Sequence, residues 1–244
     1  MQVKIMVYKK RLDNRKFDET RKIEAKVGVI KRADGSAYFR FGNTWAYAAV
    51  YGPRILYPKF LQDPSKGILR CNYNMMPFSS RGERVRPGGS RRSKEISMVT
   101  KNSLLPVLNL DEYPNSVVDV FIELPETEAG SRTAGINAAS MALADAGLSM
   151  KDLVASVSVG RVDDKILVDL DYTEESYEDG PVADIPVAFL PKSGKMVLLQ
   201  MDGLVSEEQL SKAIEMGKEA CRKIYDIQKK ALKDKYNIEG GSNE

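Results

Sequence analysis

A strand-like segment followed by a run of small residues constrains this fold most strongly. Residues 117–124 read Val-Val-Asp-Val-Phe-Ile-Glu-Leu, and residues 130–147 begin Gly-Ser-Arg-Thr and continue mainly with alanine, glycine and serine. This pattern predicts a helix that begins near Ser131, packs closely on a sheet and ends at Gly147. A helix start exposes unpaired N–H groups, and Arg132 would add a donor fork suited to phosphate. The segment alone fits a capped core helix and an anion site equally well.

Histidine is absent from all 244 residues. Its absence excludes imidazole acid–base catalysis, serine and cysteine triads that use histidine, and almost all zinc chemistry. Cys71 and Cys221 match no metal-ligand spacing, and we expect both to be reduced, as in a cytoplasmic protein. No apolar run approaches the roughly 20 residues of a membrane helix, and the mixed first ten residues do not resemble a signal peptide. An enzyme of this composition would work with carboxylates, arginines, a bound ion or groups of its substrate.

The charged residues are segregated along the chain, although the net charge is only +3. Residues 81–94 carry six basic side chains and one acid, whereas residues 163–184 carry nine acids and one base. The six basic residues are Arg81, Arg84, Arg86, Arg91, Arg92 and Lys94. Such segregation fits a phosphate-binding surface beside a carboxylate site, and it fits two solvated loops equally well.

Short strands and helices with tight turns predict one α+β domain made of two sheet-and-helix halves. The first half, about 20–147, contains strands at 24–31, 37–41, 44–51, 67–76 and 117–124, a helix at 93–108 and the helix from Ser131. The second half, about 153–220, contains strands at 153–159, 165–170, 183–190 and 196–200. A capping box at Ser206 begins a last helix that extends to about residue 236, and residues 239–244 form a frayed tail.

Seven short segments in a fixed order resemble the RNase PH family. They are residues 11–15, 18–21, 35–37, 42–46, 50–53, 130–133 and 183–188. The resemblance covers roughly residues 11–220 and is strongest to the catalytic RNase PH-like subunits of archaeal exosomes. The resemblance implies the RNase PH fold, akin to domain 2 of ribosomal protein S5. It also implies a phosphate-dependent 3′-to-5′ exoribonuclease that releases nucleoside diphosphates and can add nucleotides in reverse.

The resemblance also assigns the phosphate site and one acid. Gly130, Ser131 and Arg132 match the family's motif for inorganic phosphate, the co-substrate. Asp184 matches an acid that would protonate the leaving 3′ oxygen or hold a Mg²⁺ ion.

A second acid is expected six residues before Asp184, where this chain carries a short insertion. The candidates are Asp179, Glu178 and Glu175. We favour Asp179 as the second catalytic acid and second metal ligand.

RNA contacts are implied for the basic segment. Arg91 and Arg92 match positions that contact the backbone of the last nucleotides, and Lys94, Arg81, Arg84 and Arg86 would guide the strand. Arg54, after Gly52-Pro53, is a candidate channel contact. The rings of Tyr73 and Phe78 have the chemistry to stack on bases, but we expect them to pack in the core.

The partners implied are RNA, not DNA or a membrane, and related subunits in the cytoplasm. The chain would alternate with a non-catalytic paralogue in a 3+3 hexameric ring that carries RNA-binding cap subunits. Three alternatives stay open: an RNase PH that trims tRNA 3′ ends, a non-catalytic RNA-binding ring subunit, and an RNA-binding module with an S5-like fold. The carboxylate cluster argues against the last of these.

Overall fold

The structure, a computed structural model, describes residues 8–237. The predicted tail at 239–244 and most of the N-terminal stretch considered for a signal peptide lie outside this range. None of the helices between residues 8 and 237 is long and apolar enough to cross a membrane.

Ten strands and four α-helices make up the described chain. The strands are β1 (Ile23–Val27), β2 (Gly35–Phe41), β3 (Thr44–Ile55), β4 (Ile68–Met75), β5 (Ser116–Glu126), β6 (Ala155–Val162), β7 (Lys165–Val168), β8 (Val182–Leu190), β9 (Lys195–Leu199) and β10 (Asp202–Gly203). The helices are α1 (Arg91–Leu104), α2 (Ser131–Asp145), α3 (Tyr172–Glu175) and α4 (Glu207–Asn237). The predicted α+β class with two sheet-and-helix halves is confirmed.

The first sheet has the order β1-β2-β3-β5-β4, in which only β4 and β5 run parallel. Its β2–β3 hairpin closes at Gly42-Asn43, where Gly42 has a φ of 51°. Helix α2 packs so tightly on this sheet that a Cβ on Gly35 would lie 2.2 Å from the Ala146 nitrogen. The small residues of α2 therefore serve close packing as well as the site at its start.

The second sheet has the order β10-β8-β6-β7. Strand β10 pairs with the beginning of β8, and β9 pairs with its end. Helix α2 also contacts β6 and β8, so it lies between the two sheets, and α4 covers β6 and reaches β1. The Asn137 amide in α2 donates to the Ser156 carbonyl (2.7 Å) and accepts from the Gln228 amide of α4 (3.1 Å). One hydrophobic cluster contains residues of both sheets, so the two halves share a core.

Several element boundaries differ from prediction for local reasons. Strand β1 ends at Val27 because Gly28 adopts a φ of 69°, and β3 continues past Gly52-Pro53 to Ile55. Helix α1 begins at Arg91 because Ser90 and Ser93 form a capping box there. Helix α3 and strand β10 are absent from the sequence prediction, since four and two residues are too few to show a period.

Candidate active site

The start of α2 forms one wall of the site. Gly130 has a φ of 65°, which favours glycine, and Ala129 is fixed by a 2.7 Å hydrogen bond from the Thr44 hydroxyl to its carbonyl. Among the described residues, no side chain caps this helix. The backbone N–H groups of its first turn are therefore available to an anion.

A cavity of about 620 Å³ opens in front of this helix start. Both halves of the chain line it. The first half supplies Gly130, Ser131, Arg132, Arg92, Arg81 and Glu128, and the second supplies Tyr172, Glu175, Asp184 and Asp202. The cavity therefore brings a positively polarised helix start against a group of carboxylates.

Asp184 lies in β8, where the antiparallel register places it opposite Gly160 of β6 and Asp202 of β10. Its carboxylate accepts a hydrogen bond from the Ser158 hydroxyl. Burial raises the pKa of Asp184, and the charge of Asp202 adds to this effect. The Ser158 hydrogen bond and the guanidinium of Arg132 oppose the rise. The protonated carboxyl is thus favoured more than in an exposed aspartate.

Glu175 ends α3 and lines the cavity with Asp184. Burial, and then the charge of Asp184, raise the pKa of Glu175 to about 7. Asp179, favoured from the sequence, is exposed and does not line the cavity. Asp179 lies in the segment between α3 and β8. Of the three candidates, Glu175 is the one that lines the cavity.

A buried arginine positions α3. Arg11 donates to both carboxylate oxygens of Glu174, from Nε (2.8 Å) and from Nη2 (2.7 Å). Its Nη1 also donates to the Val168 carbonyl (2.8 Å), and Tyr8 Oη donates to Glu174 Oε1 (2.8 Å). Because Glu174 is adjacent to Glu175, these contacts hold the cavity acid at its place.

A second buried arginine joins the two walls. Arg21 donates to Asp169 from Nη2 (2.7 Å) and from its backbone nitrogen (2.7 Å). The same Nη2 donates to the Ala129 carbonyl (3.1 Å), directly before Gly130. Arg11 and Arg21 belong to the segments that carry the family resemblance, but no local pattern in the sequence shows an ion pair formed across the fold.

The predicted basic residues divide into two groups. Arg132, Arg92 and Arg81 line the cavity. Arg132 Nη1 donates to Gln200 Oε1 and lies 3.8 Å from Glu95 Oε1, while Arg81 Nη1 donates to Glu128 Oε1 (2.8 Å). The exposed residues that do not line it are Arg84, Arg86, Arg91 and Lys94.

Arg54 lies far from the cavity. Thr44 begins β3 beside Ala129, whereas Arg54 lies near the other end of this strand, roughly 30 Å away at about 3.3 Å per residue. Its guanidinium is 3.2 Å from Asp34 Oδ2 and stacks over the Tyr51 ring. A role for Arg54 in a longer RNA channel stays a prediction.

The two aromatic candidates have different positions. Tyr73 is 3% exposed and belongs to the core, as expected. Phe78 is 73% exposed, so the expectation that it packs in the core is wrong. It lies in the turn-rich segment between β4 and α1, outside the cavity that holds Asp184.

Two models of one protein family match this chain. Residues 19–149 match domain 1 of the 3′ exoribonuclease family, RNase PH, and residues 152–220 match domain 2. The division into two family domains leaves the single-domain description a prediction.

Curated relatives cover nearly the whole chain. The chain is 47% identical to the exosome complex component Rrp41 of Methanopyrus kandleri, covering 93% of each protein. It is 48% identical to Rrp41 of Pyrococcus furiosus, covering 93% of this chain and 89% of the relative.

Solved structures show the same fold. Rice Rrp46 superposes with a TM-score of 0.79 at 25% identity, covering 91% of this chain and all of the rice chain. The Archaeoglobus fulgidus exosome with RNA bound to its active site superposes with a TM-score of 0.75 at 26% identity, covering 89% of this chain and 92% of that chain. On these matches and on the architecture described above, the chain belongs to the RNase PH family of 3′ exoribonucleases.

Proposed function

We propose that this chain is a phosphate-dependent 3′-to-5′ exoribonuclease and the catalytic subunit of an exosome ring. One observation carries the proposal: an uncapped helix start and a pair of half-buried carboxylates, contributed by different halves of the chain, line one cavity. Phosphorolysis needs both features. Two negatively charged phosphates must be brought together, and the 3′ oxygen must receive a proton as it leaves.

The start of α2 holds inorganic phosphate in this mechanism. Backbone N–H groups of its first turn and the guanidinium of Arg132 bind the anion and reduce its repulsion by the RNA phosphate. A phosphate oxygen then bonds to the phosphorus of the last phosphodiester, and the bond from that phosphorus to the preceding 3′ oxygen breaks. The products are a nucleoside diphosphate and an RNA shorter by one nucleotide.

Asp184 supplies the proton to the leaving 3′ oxygen. Burial raises the pKa of this carboxyl, which increases its protonated fraction near neutral pH. Glu175, whose pKa is raised to about 7, shares the proton and the charge of the pair. Arg92 and Arg81 border the cavity and contact the RNA backbone, which gives affinity without sequence preference.

Mg²⁺ fits this site only with help from the substrate. The described residues contain no group of three or more metal-ligating side chains. Mg²⁺ usually uses one or two carboxylates together with substrate phosphates and water, so Glu175 and Asp184, when ionised, would hold it in place of the shared proton once RNA and phosphate are bound. The ion would neutralise charge on the phosphoryl oxygens.

RNA and related RNase PH-like subunits are the partners of this chain in the proposal. Its similarity to Rrp41 proteins and to an RNA-bound exosome supports both. The finer proposal is a ring of three copies alternating with three copies of a non-catalytic paralogue, with RNA-binding cap subunits on one face. The cytoplasm would be its location.

The test uses an RNA with a 3′-oligoadenylate end and the chain co-expressed with its paralogue, in Mg²⁺. We expect shortening that requires inorganic phosphate, releases ADP and is lost in Asp184→Asn. Asp179→Asn, at an exposed position outside the cavity, should retain activity and serves as the matched control.

Two other results would replace the proposal. RNA binding without ADP release under any of these conditions would make the chain a non-catalytic ring subunit. Efficient trimming of tRNA 3′ ends by the chain alone, without its paralogue, would favour an RNase PH-type enzyme.

A further inference from the structure

The cavity contains an accessible aromatic ring that the proposed chemistry does not use. Tyr172 is the first residue of α3, lines the cavity and is 40% exposed. The other tyrosine of the cavity wall, Tyr73, is only 3% exposed. A large aromatic ring left open in a wall that also carries charged side chains is suited to a flat, partly apolar ligand.

The position of this ring relative to the acids is informative. Tyr172 and Glu175 are three residues apart in α3, and both line the cavity, so they share one face of the helix. Side chains at this spacing have Cβ atoms about 5–6 Å apart. That separation is comparable to the distance between the phosphate and the base within one nucleotide.

Arg81 holds the ring in place. Its guanidinium carbon lies 5.7 Å from the ring centroid of Tyr172, and its Nη1 donates to Glu128 Oε1 at 2.8 Å. A cation over one face orients the ring before ligand binding and leaves the opposite face to another planar group. The same arginine therefore links the ring to the loop before Gly130.

We propose that Tyr172 stacks on the base of the 3′-terminal nucleotide and so fixes the last phosphodiester between the phosphate site and the acids. This inference rests on the proposed function. That function assigns the groups that bind inorganic phosphate and supply the proton, and the inference adds the group that binds the base. Every base has a π-face, so a stacking contact tolerates all four nucleotides, as progressive trimming requires.

Fluorescence of RNA with 2-aminopurine at its 3′ end tests the contact without turnover. The ring co-expressed with its paralogue is titrated in the absence of inorganic phosphate. We expect the native chain and Tyr172→Phe to quench the probe, and Tyr172→Leu to lose the quenching. Tyr236→Leu replaces a 56% exposed tyrosine in α4 that does not line the cavity, and should behave like the native chain.

Phosphorolysis supplies the second readout. Tyr172→Leu should raise KM about 5- to 100-fold with a smaller change in kcat. Tyr172→Phe keeps the aromatic ring, so its KM should stay close to that of the native chain. With RNA that ends in an abasic nucleotide, the KM of Tyr172→Leu should equal the KM of the native chain. A melting temperature for each variant verifies its fold.

Two results would overturn the proposal. One is full quenching by Tyr172→Leu; the other is an equal loss of binding on normal and abasic RNA, which would mean that the ring only supports Arg81. Quenching that depends on Tyr172 but is accompanied by no ADP release would instead refute the proposed phosphorolysis and leave the stacking contact standing.

Discussion

Replacing Glu175 by glutamine should make the folded chain more stable while slowing phosphorolysis. The pKa of Glu175 is raised from 4.5 to about 7 by burial and by Asp184. Between these values the folded chain binds a proton more tightly than the unfolded chain, so stability falls as the pH rises through this window. At 1.36 kcal/mol per pH unit, and allowing for partial solvent access, the ionised carboxylate costs about 2–3 kcal/mol above pH 7.

Urea denaturation at two pH values measures this cost. Glu175→Gln should raise the free energy of unfolding by about 2–3 kcal/mol at pH 8, and by less than about 0.5 kcal/mol at pH 4.5, where the native carboxyl stays protonated. Glu178→Gln is the matched control, because Glu178 is exposed and outside the cavity. Equal stabilisation at both pH values, or none at pH 8, would show that Glu175 is not buried beside a second charge.

Three further predictions concern RNA binding, the buried ion pairs and helix packing. Arg92→Gln should reduce by about 0.7 the slope of the logarithm of the RNA-binding constant against the logarithm of the salt concentration, for single-stranded RNA. Arg91→Gln, outside the cavity, should change this slope less, and measuring RNA affinity at several salt concentrations tests both expectations. Arg11→Met removes the arginine that donates to both oxygens of the buried Glu174 and leaves only Arg15, whose Nη2 is 3.9 Å from Glu174 Oε2. Urea denaturation at pH 7 should therefore show a loss of about 3 kcal/mol in the free energy of unfolding, and an unchanged midpoint would contradict the ion pair. Gly35→Ala places a Cβ 2.2 Å from a backbone nitrogen and should lower the free energy of unfolding by about 3 kcal/mol. In Gly89→Ala the new Cβ meets no atom closer than 4.0 Å, so the free energy of unfolding should change by less than about 0.5 kcal/mol. Thermal melting measures both variants.

The first wall of the cavity could be predicted from the sequence because its signals are local. The small-residue run and the glycine before Ser131 indicate the start of α2 to the residue. The tight turn at Gly42-Asn43 likewise follows from dipeptide chemistry. Such features depend on neighbouring residues, which a single sequence displays.

The second wall could not be predicted because it depends on pairing between distant residues. Glu175 points into the cavity through a four-residue helix held by Arg11, which is 163 positions from Glu174. Asp202 reaches Asp184 only through the register of a two-residue strand. The sequence therefore indicates that acids are concentrated in 163–184, and the family resemblance selects Asp184 among them, but neither shows which second acid faces the phosphate site.

The division of the cavity between the two halves also sets when a newly made chain acquires its site. Arg132 leaves the ribosome about 70 residues before Gly203, the last residue to line the cavity. At a synthesis rate of 5–20 residues per second, roughly 4–14 s pass between synthesis of this helix start and synthesis of the last residue that lines the cavity. Helix α4 then extends across β6 to β1, and Lys235 Nζ lies 2.6 Å from Asp145 Oδ1. A nascent chain of this design has no complete site for cutting RNA, its own messenger included, until the residues up to Gly203 have been made.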